Sequence, residues 1–154
     1  RGLQNKDELS RLLGALLAAR RSAVPLLLKI APDLDDAEVR AIARLLVRHR
    51  IDAVIATNTT IARDGVAGLR YANETGGLSG APLRTRAVAI LRTLAAELNG
   101  ALPIIAAGGI MSGEDARARI AAGASLVQLY TGLIYRGPSL VAECVRALAA
   151  SRAS

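Results

Sequence analysis

A chain of 154 residues with 52% apolar content is long enough to bury a core and has the size of one domain. Its net charge of +7 comes from 18 Arg and two Lys against 13 acids, and with no Trp, no Phe and three Tyr it lacks the aromatic platform that stacks bases, which argues against nucleic acid as a partner. No apolar run reaches the roughly 18 residues of a membrane span, no targeting or lipidation motif is visible, and the single cysteine, Cys144, excludes an internal disulfide or a thiol metal cluster and suits a reducing compartment.

The first residue is Arg1 rather than Met, so the chain is expected to open partway into a longer protein. Asp7 to Arg20 has helical spacing, with Leu9, Leu12, Leu13, Leu16 and Leu17 on one side. Ser22 and Pro25 end it, and Leu26 to Ile30 forms a short strand that carries Lys29 near its tip. Asp35 and Glu38 stand at capping-box spacing and open a second helix, with Val39, Ile42, Ala43 and Leu46 inward and Arg48-His49-Arg50 at its end. The arginines Arg40, Arg44 and Arg48 recur every four residues, as on a solvated helix face.

Ile51 to Ala56 reads as the second strand, ending in Thr57-Asn58-Thr59-Thr60. The connection that follows, to about Pro82, is long enough to suggest function rather than mere linkage. A helix from Leu83 to Leu98 turns Ala87, Leu91, Leu94 and Leu98 inward, and Asn99-Gly100 stops it. Pro103 leads into the apolar run 104–107, which ends at Gly108-Gly109. Ser112-Gly113-Glu114-Asp115 starts a helix that runs to about Ala121. Ser125 to Tyr130 is the fourth strand, Leu133 to Arg136 a short extra helical turn, and Pro138 opens a last helix to about Ala150. On that helix Cys144 is expected as a small buried side chain sharing a face with Val141, Val145 and Leu148.

One helix followed by four strand–helix units implies an α/β fold with a parallel sheet. An open doubly wound sheet and part of an eightfold β/α barrel both fit, and both place their sites after the strands. The glycine pair after the third strand, the Tyr130-Thr131 tip of the fourth and the extra turn beyond it favour the second half of a TIM (β/α)8 barrel, strands five to eight over residues 1–154. There a phosphate site is expected from backbone N–H groups at strand tips and a helix start.

Chemistry-bearing residues gather at the same tips. Lys29 offers a compact positive charge that either stabilises developing negative charge or pairs with Asp33. Thr57, Asn58 and Thr59 supply hydroxyls and an amide that suit a planar heterocycle with alternating C=O and N–H, or else make local turns. Gly76, Gly77 and Gly80 permit sharp bends or close backbone approach. No Ser/His/Asp triad, Cys/His pair or metal cluster is present in the sequence, and no general base is evident.

The stretches Leu28-Lys29-Ile30-Ala31-Pro32-Asp33, Asp52 to Thr60, Thr75-Gly76-Gly77-Leu78-Ser79-Gly80, Leu102-Pro103-Ile104-Ile105 with Gly108-Gly109-Ile110, and Ala122 to Thr131 together resemble the dihydroorotate dehydrogenase family, in its quinone-linked, membrane-associated class 2, with Ala106-Ala107 a departure where the family commonly has a glycine at the first position. The resemblance covers nearly the whole chain and corresponds to the C-terminal half of that family's catalytic barrel. It implies a flavoprotein oxidoreductase that holds FMN and oxidises dihydroorotate to orotate, with quinone as acceptor, in pyrimidine (UMP) biosynthesis. It implies Lys29, Thr57, Gly80, Gly109, Tyr130 and Thr131 around the flavin, the last three at its phosphate, and Asn58 and Thr59 on the orotate ring. It implies that the catalytic base, a serine, precedes Arg1, so that no catalytic residue lies in this chain, along with the segment that meets the membrane on the cytoplasmic face of the inner membrane. Other readings are a soluble-class dihydroorotate dehydrogenase, another FMN barrel oxidoreductase, or a non-catalytic half-barrel.

Overall fold

The computed structural model describes residues 6–150. Six α-helices and four strands follow one another as α1 Lys6–Ala19, β1 Leu27–Ile30, α2 Asp36–Arg48, β2 Ala53–Ala56, α3 Arg84–Leu98, β3 Ile104–Ala107, α4 Gly113–Ala121, β4 Leu126–Gln128, α5 Thr131–Arg136 and α6 Ser139–Ala150. The four strands form one parallel sheet in the order β1-β2-β3-β4. Each new strand is added to the same side of the last one. A doubly wound sheet reverses direction at a switch point, and these four strands have none, the order that consecutive units of a β/α barrel take.

Alternation along each strand sends neighbouring side chains to opposite faces. Ile30, Val54, Ala56, Ile104 and Ala106 point into the helix layer, where they form one core with Leu9 and Leu13 of α1, Val39, Ile42 and Leu46 of α2, and Ile90, Leu91 and Leu94 of α3. The other face presents Lys29, Ile55, Ile105 and Leu126, which the register places in one row. A smaller cluster of Ile110, Ala116, Leu140 and Cys144 joins α4 to α6. Replacing a fully buried member such as Leu91 by Ala is expected to cost about 2–5 kcal/mol.

Local signals set the ends of the helices. Asp35 accepts from the Glu38 backbone N–H at 2.8 Å while the Glu38 side chain accepts from Asp35 N–H at 2.8 Å, completing the capping box. Helix α3 ends where Asn99 takes the left-handed conformation (φ 43°). His49 closes α2 and meets Ser10 Oγ at 2.9 Å, tying α1 to α2, which gives this histidine a structural task. Arg40, Arg44 and Arg48 lie on the exposed face of α2 as expected, and the first two also reach across to Glu97 of α3.

Several boundaries and faces differ from the sequence reading. Helix α5 starts at Thr131 rather than Leu133, and β4 ends at Gln128 rather than Tyr130, so the extra turn is longer than expected and the strand shorter. Leu16 of α1 is 42% exposed, and only Leu9 and Leu13 of the expected face are fully buried. On α6 the inward stripe is Leu140, Cys144 and the half-buried Leu148, whereas Val141 and Val145 are exposed. The two stripes share Cys144 and Leu148, and the real one is turned toward Leu140 by about 50° around the helix.

Candidate functional site

The tips of all four strands converge on one cavity of about 330 Å³, within the range of about 300–1,000 Å³ of small-molecule sites. Lys29, Thr57, Asn58, Thr59, Gly80, Gly109, Tyr130 and Thr131, the eight residues singled out in the sequence, all line it. They come from five separate places in the chain. The sequence reading did not single out Ser79, Leu83 or Gln128, which also face this space.

Lys29 projects from the helix-free face of β1 and has no ion-pair partner among the described residues. Asp33, the partner considered for it in the sequence, accepts from the Thr60 hydroxyl and from Ile61 N–H at 3.1 Å. These bonds fasten the β1 tip to the β2 tip. Just past β2, Thr57 is buried and donates its N–H to Ala107 O at 2.7 Å, extending the β2–β3 ladder by one residue. Its hydroxyl donates to Asn58 O at 3.0 Å, and Asn58 Oδ1 accepts from Thr59 N–H at 2.9 Å. The local bonds of a turn and a place at the cavity thus coexist. Asn58 keeps its side-chain NH₂ without a hydrogen bond among the described residues.

The long connection after β2 is a folded-back loop. Thr60 and Leu78 exchange backbone hydrogen bonds of 3.0 and 2.7 Å, closing its neck. Arg63 sits inside and donates to the carbonyls of Thr60, Ile61, Ala62, Glu74 and Gly76. The closed neck sets Thr59 beside Gly77, where any side chain would collide with that threonine. Gly80 follows with φ 81° and lies against Thr131, whose hydroxyl bonds Ser79 Oγ at 2.9 Å. A left-handed turn against another side chain is a position for glycine.

The Gly108-Gly109 turn closes the other side. Both glycines have positive φ, 95° and 73°. Gly109 N–H has no acceptor among the described residues. Behind the turn lies Arg119 of α4, 1% exposed, whose Nη2 donates to Gly108 O at 2.8 Å and to Arg84 O at 3.2 Å. Burial pushes its guanidinium below the ordinary value, and Arg84 adds to that while Asp115 opposes it. Arginines on the helices were expected on solvated faces, and Arg119 departs from that expectation. Its spacing of three from Ala116 marks the inward side of α4 and is the signal that could have placed it.

Among the described residues no group of three or more His, Cys, Asp or Glu side chains could hold a metal ion. The lining carries no carboxylate, imidazole or thiol. It combines one cation, several hydroxyls, the two amides of Asn58 and Gln128 and the Gly109 N–H, which has no acceptor among the described residues. Such a set recognises an anionic, hydrogen-bonding small molecule.

Fold and site together define a small-molecule site at the strand tips of a β/α barrel. A family model described as dihydroorotate dehydrogenase matches residues 1–151. A dihydroorotate dehydrogenase (quinone) from Thiobacillus denitrificans is 65% identical, over 97% of this chain and 46% of the relative. One from Burkholderia multivorans is 58% identical, over all of this chain and 47% of the relative. A crystal structure of DHODH in complex with ferulenol from Eimeria tenella superposes with a TM-score of 0.87 at 37% identity, covering 96% of this chain and 45% of that one. The chain belongs to the dihydroorotate dehydrogenase family, a family of oxidoreductases. It spans about half the length of the curated relatives it matches.

Proposed function

We propose that this chain forms the flavin- and substrate-holding part of a quinone-linked dihydroorotate dehydrogenase, with its strands standing fifth to eighth in the barrel. The observation that carries this reading is the convergence of the eight singled-out residues on one cavity. The cavity fits FMN in three respects. Gly109 lines it with an N–H that has no acceptor among the described residues, on a turn packed closely against the Arg84 backbone. Lys29 brings the one cationic side chain of the lining. Thr57, Tyr130 and Thr131 supply hydroxyls.

In this reading Lys29, Thr57, Gly80, Gly109, Tyr130 and Thr131 hold the flavin, and Asn58 and Thr59 hold the pyrimidine ring through the paired donor and acceptor character of the amide and the hydroxyl. When bound, FMN supplies a two-electron acceptor. Oxidation of dihydroorotate to orotate removes two electrons and two protons from the ring, and a base is needed for one of those protons. We assign that base to a serine N-terminal to Arg1. Lys29 keeps a positive charge at the site, and Leu83 and Ile110 supply apolar wall that keeps water off the reacting ring. Quinone as acceptor, a place in pyrimidine biosynthesis and peripheral attachment to the cytoplasmic face of the inner membrane belong to the same proposal. No helix among the described residues is long and apolar enough to cross a membrane.

The test is made on the protein expressed from its complete gene. Visible absorbance of the purified protein should show bound flavin, anaerobic dihydroorotate should bleach it, and a quinone should restore it. Bound flavin that dihydroorotate leaves unbleached would remove the substrate assignment, and absence of flavin would remove the cofactor.

A further inference from the structure

A buried arginine normally has a carboxylate or several hydrogen bonds to compensate its charge. Arg119 has two carbonyl acceptors on one nitrogen, while its Nε is buried without a hydrogen-bond partner among the described residues. No ion pair involves it among the described residues. The acid closest to it electrostatically, Asp115, is taken up by Arg84 through contacts of 2.9 and 3.1 Å and by the Met111 N–H and the Ser112 hydroxyl. Glu143, on the neighbouring helix, is bound to Arg136 and to Gly113 N–H. One positive charge is therefore left over behind the Gly108-Gly109 turn.

The turn connects this charge to the cavity. The Gly108–Gly109 peptide is trans, so its C=O and N–H point in opposite directions. Arg119 grips the C=O from behind, and it does not line the cavity, whereas both glycines do. The Gly109 N–H therefore points away from the guanidinium, and it is without an acceptor among the described residues. Hydrogen bonding at a peptide oxygen polarises that peptide and strengthens its N–H as a donor. The second bond, to Arg84 O, fixes the start of α3 in the same grip, and Arg84 is the residue against which Gly109 packs.

We propose that Arg119 is a positioning residue for phosphate recognition: acting through Gly108 O, it aims and polarises the Gly109 N–H toward the phosphate of the bound flavin, and its buried charge faces that dianion across the turn. This rests on the flavin assignment made above. Arg119 touches neither the ring nor the substrate, so its effect falls on the phosphate alone.

The experiment compares FMN with riboflavin, which has the same ring and no phosphate. Protein expressed from the complete gene is stripped of flavin and titrated with each, following quenching of flavin fluorescence. For Arg119→Met the Kd for FMN is expected to rise about 10- to 100-fold, the effect of losing a hydrogen bond made by a charged group. The Kd for riboflavin should stay within about threefold, and Arg119→Lys should recover most of the FMN affinity. Equal weakening toward both flavins would mean a merely structural role and overturn the proposal, as would unchanged FMN binding. If the Met variant does not fold, Arg119→Gln keeps an amide donor for Gly108 O and decides the matter by the same FMN-to-riboflavin ratio: a lowered ratio supports the proposal and an unchanged one overturns it. Wild-type protein that binds neither flavin would bring down the flavin assignment and this proposal with it, whereas wild-type binding with an indifferent variant brings down this proposal alone.

Discussion

Gly109 packs against the backbone of Arg84, so that a Cβ on the glycine would lie 2.6 Å from the Arg84 nitrogen. The obstacle is main chain at the start of α3, which cannot swing aside as a side-chain tip can. Gly109 also has φ 73°, a conformation L side chains seldom take. Gly109→Ala is expected to cost about 2–3 kcal/mol and to shift the turn away from the cavity. Urea denaturation should show the loss of stability, and the purified variant should carry little or no flavin.

Lys29 gives the opposite pattern. It is exposed on β1 and has no ion-pair partner among the described residues. Lys29→Ala should leave stability within about 0.5 kcal/mol of wild type, while turnover and flavin occupancy fall. Thermal melting of the flavin-free protein and a single-turnover measurement on the loaded protein separate the two effects. Unchanged occupancy and turnover would sink the role assigned to this lysine.

Gly77 lets the loop neck close onto Thr59. A Cβ there would come 2.5 Å from the Thr59 Cβ, so the threonine side chain and its hydroxyl must move. Since Thr59 is assigned to the pyrimidine ring and not to the flavin, Gly77→Ala should raise the KM for dihydroorotate by about tenfold, the scale of one lost hydrogen bond, with flavin content unchanged. A matching drop in flavin content would mean that the whole neck had opened.

Acid should loosen the contact between α4 and α6. The Glu143 carboxylate is held below its ordinary range, first by the Gly113 N–H at 2.7 Å and further by Arg136. A carboxyl whose folded value lies below its unfolded one contributes stability above the ordinary Glu range, and loses that contribution as pH falls through the folded value. The melting temperature should therefore drop between about pH 5 and pH 3, and Glu143→Gln should flatten part of that slope. Asp52, lowered by Leu26 N–H and Arg20, contributes with the same sign. A slope left intact in Glu143→Gln would assign acid sensitivity elsewhere.

Much of the architecture could be read from spacing. The Asp35/Glu38 box, the Asn99 stop and the apolar runs at 27–30, 53–56 and 104–107 are local signals, and local physics keeps them in the fold. The rule that parallel units gather their loops at one end placed the site at the strand tips, and the family resemblance picked the eight residues out of those tips. Three features escaped because they depend on neighbours distant in sequence. The grip of Arg119 on Gly108 O joins α4 to the β3 tip, and charge alone had suggested solvent for it. Val141 and Val145 fit an apolar stripe as well as Leu140 and Cys144 do, and only the position of α4 decides between them. The closure of residues 60–78 is held by carbonyl groups, which are the same in every sequence.

That last closure has a consequence of its own. One guanidinium, Arg63, collects five carbonyls from both limbs of the loop, so the curvature of the chain is written into the backbone rather than into the side chains between. Residues 64–73 can then drift in sequence or accept inserted residues at little cost to the neck, provided the arginine stays. The loop tip is thus the natural place on this domain for a graft, a label or an affinity handle.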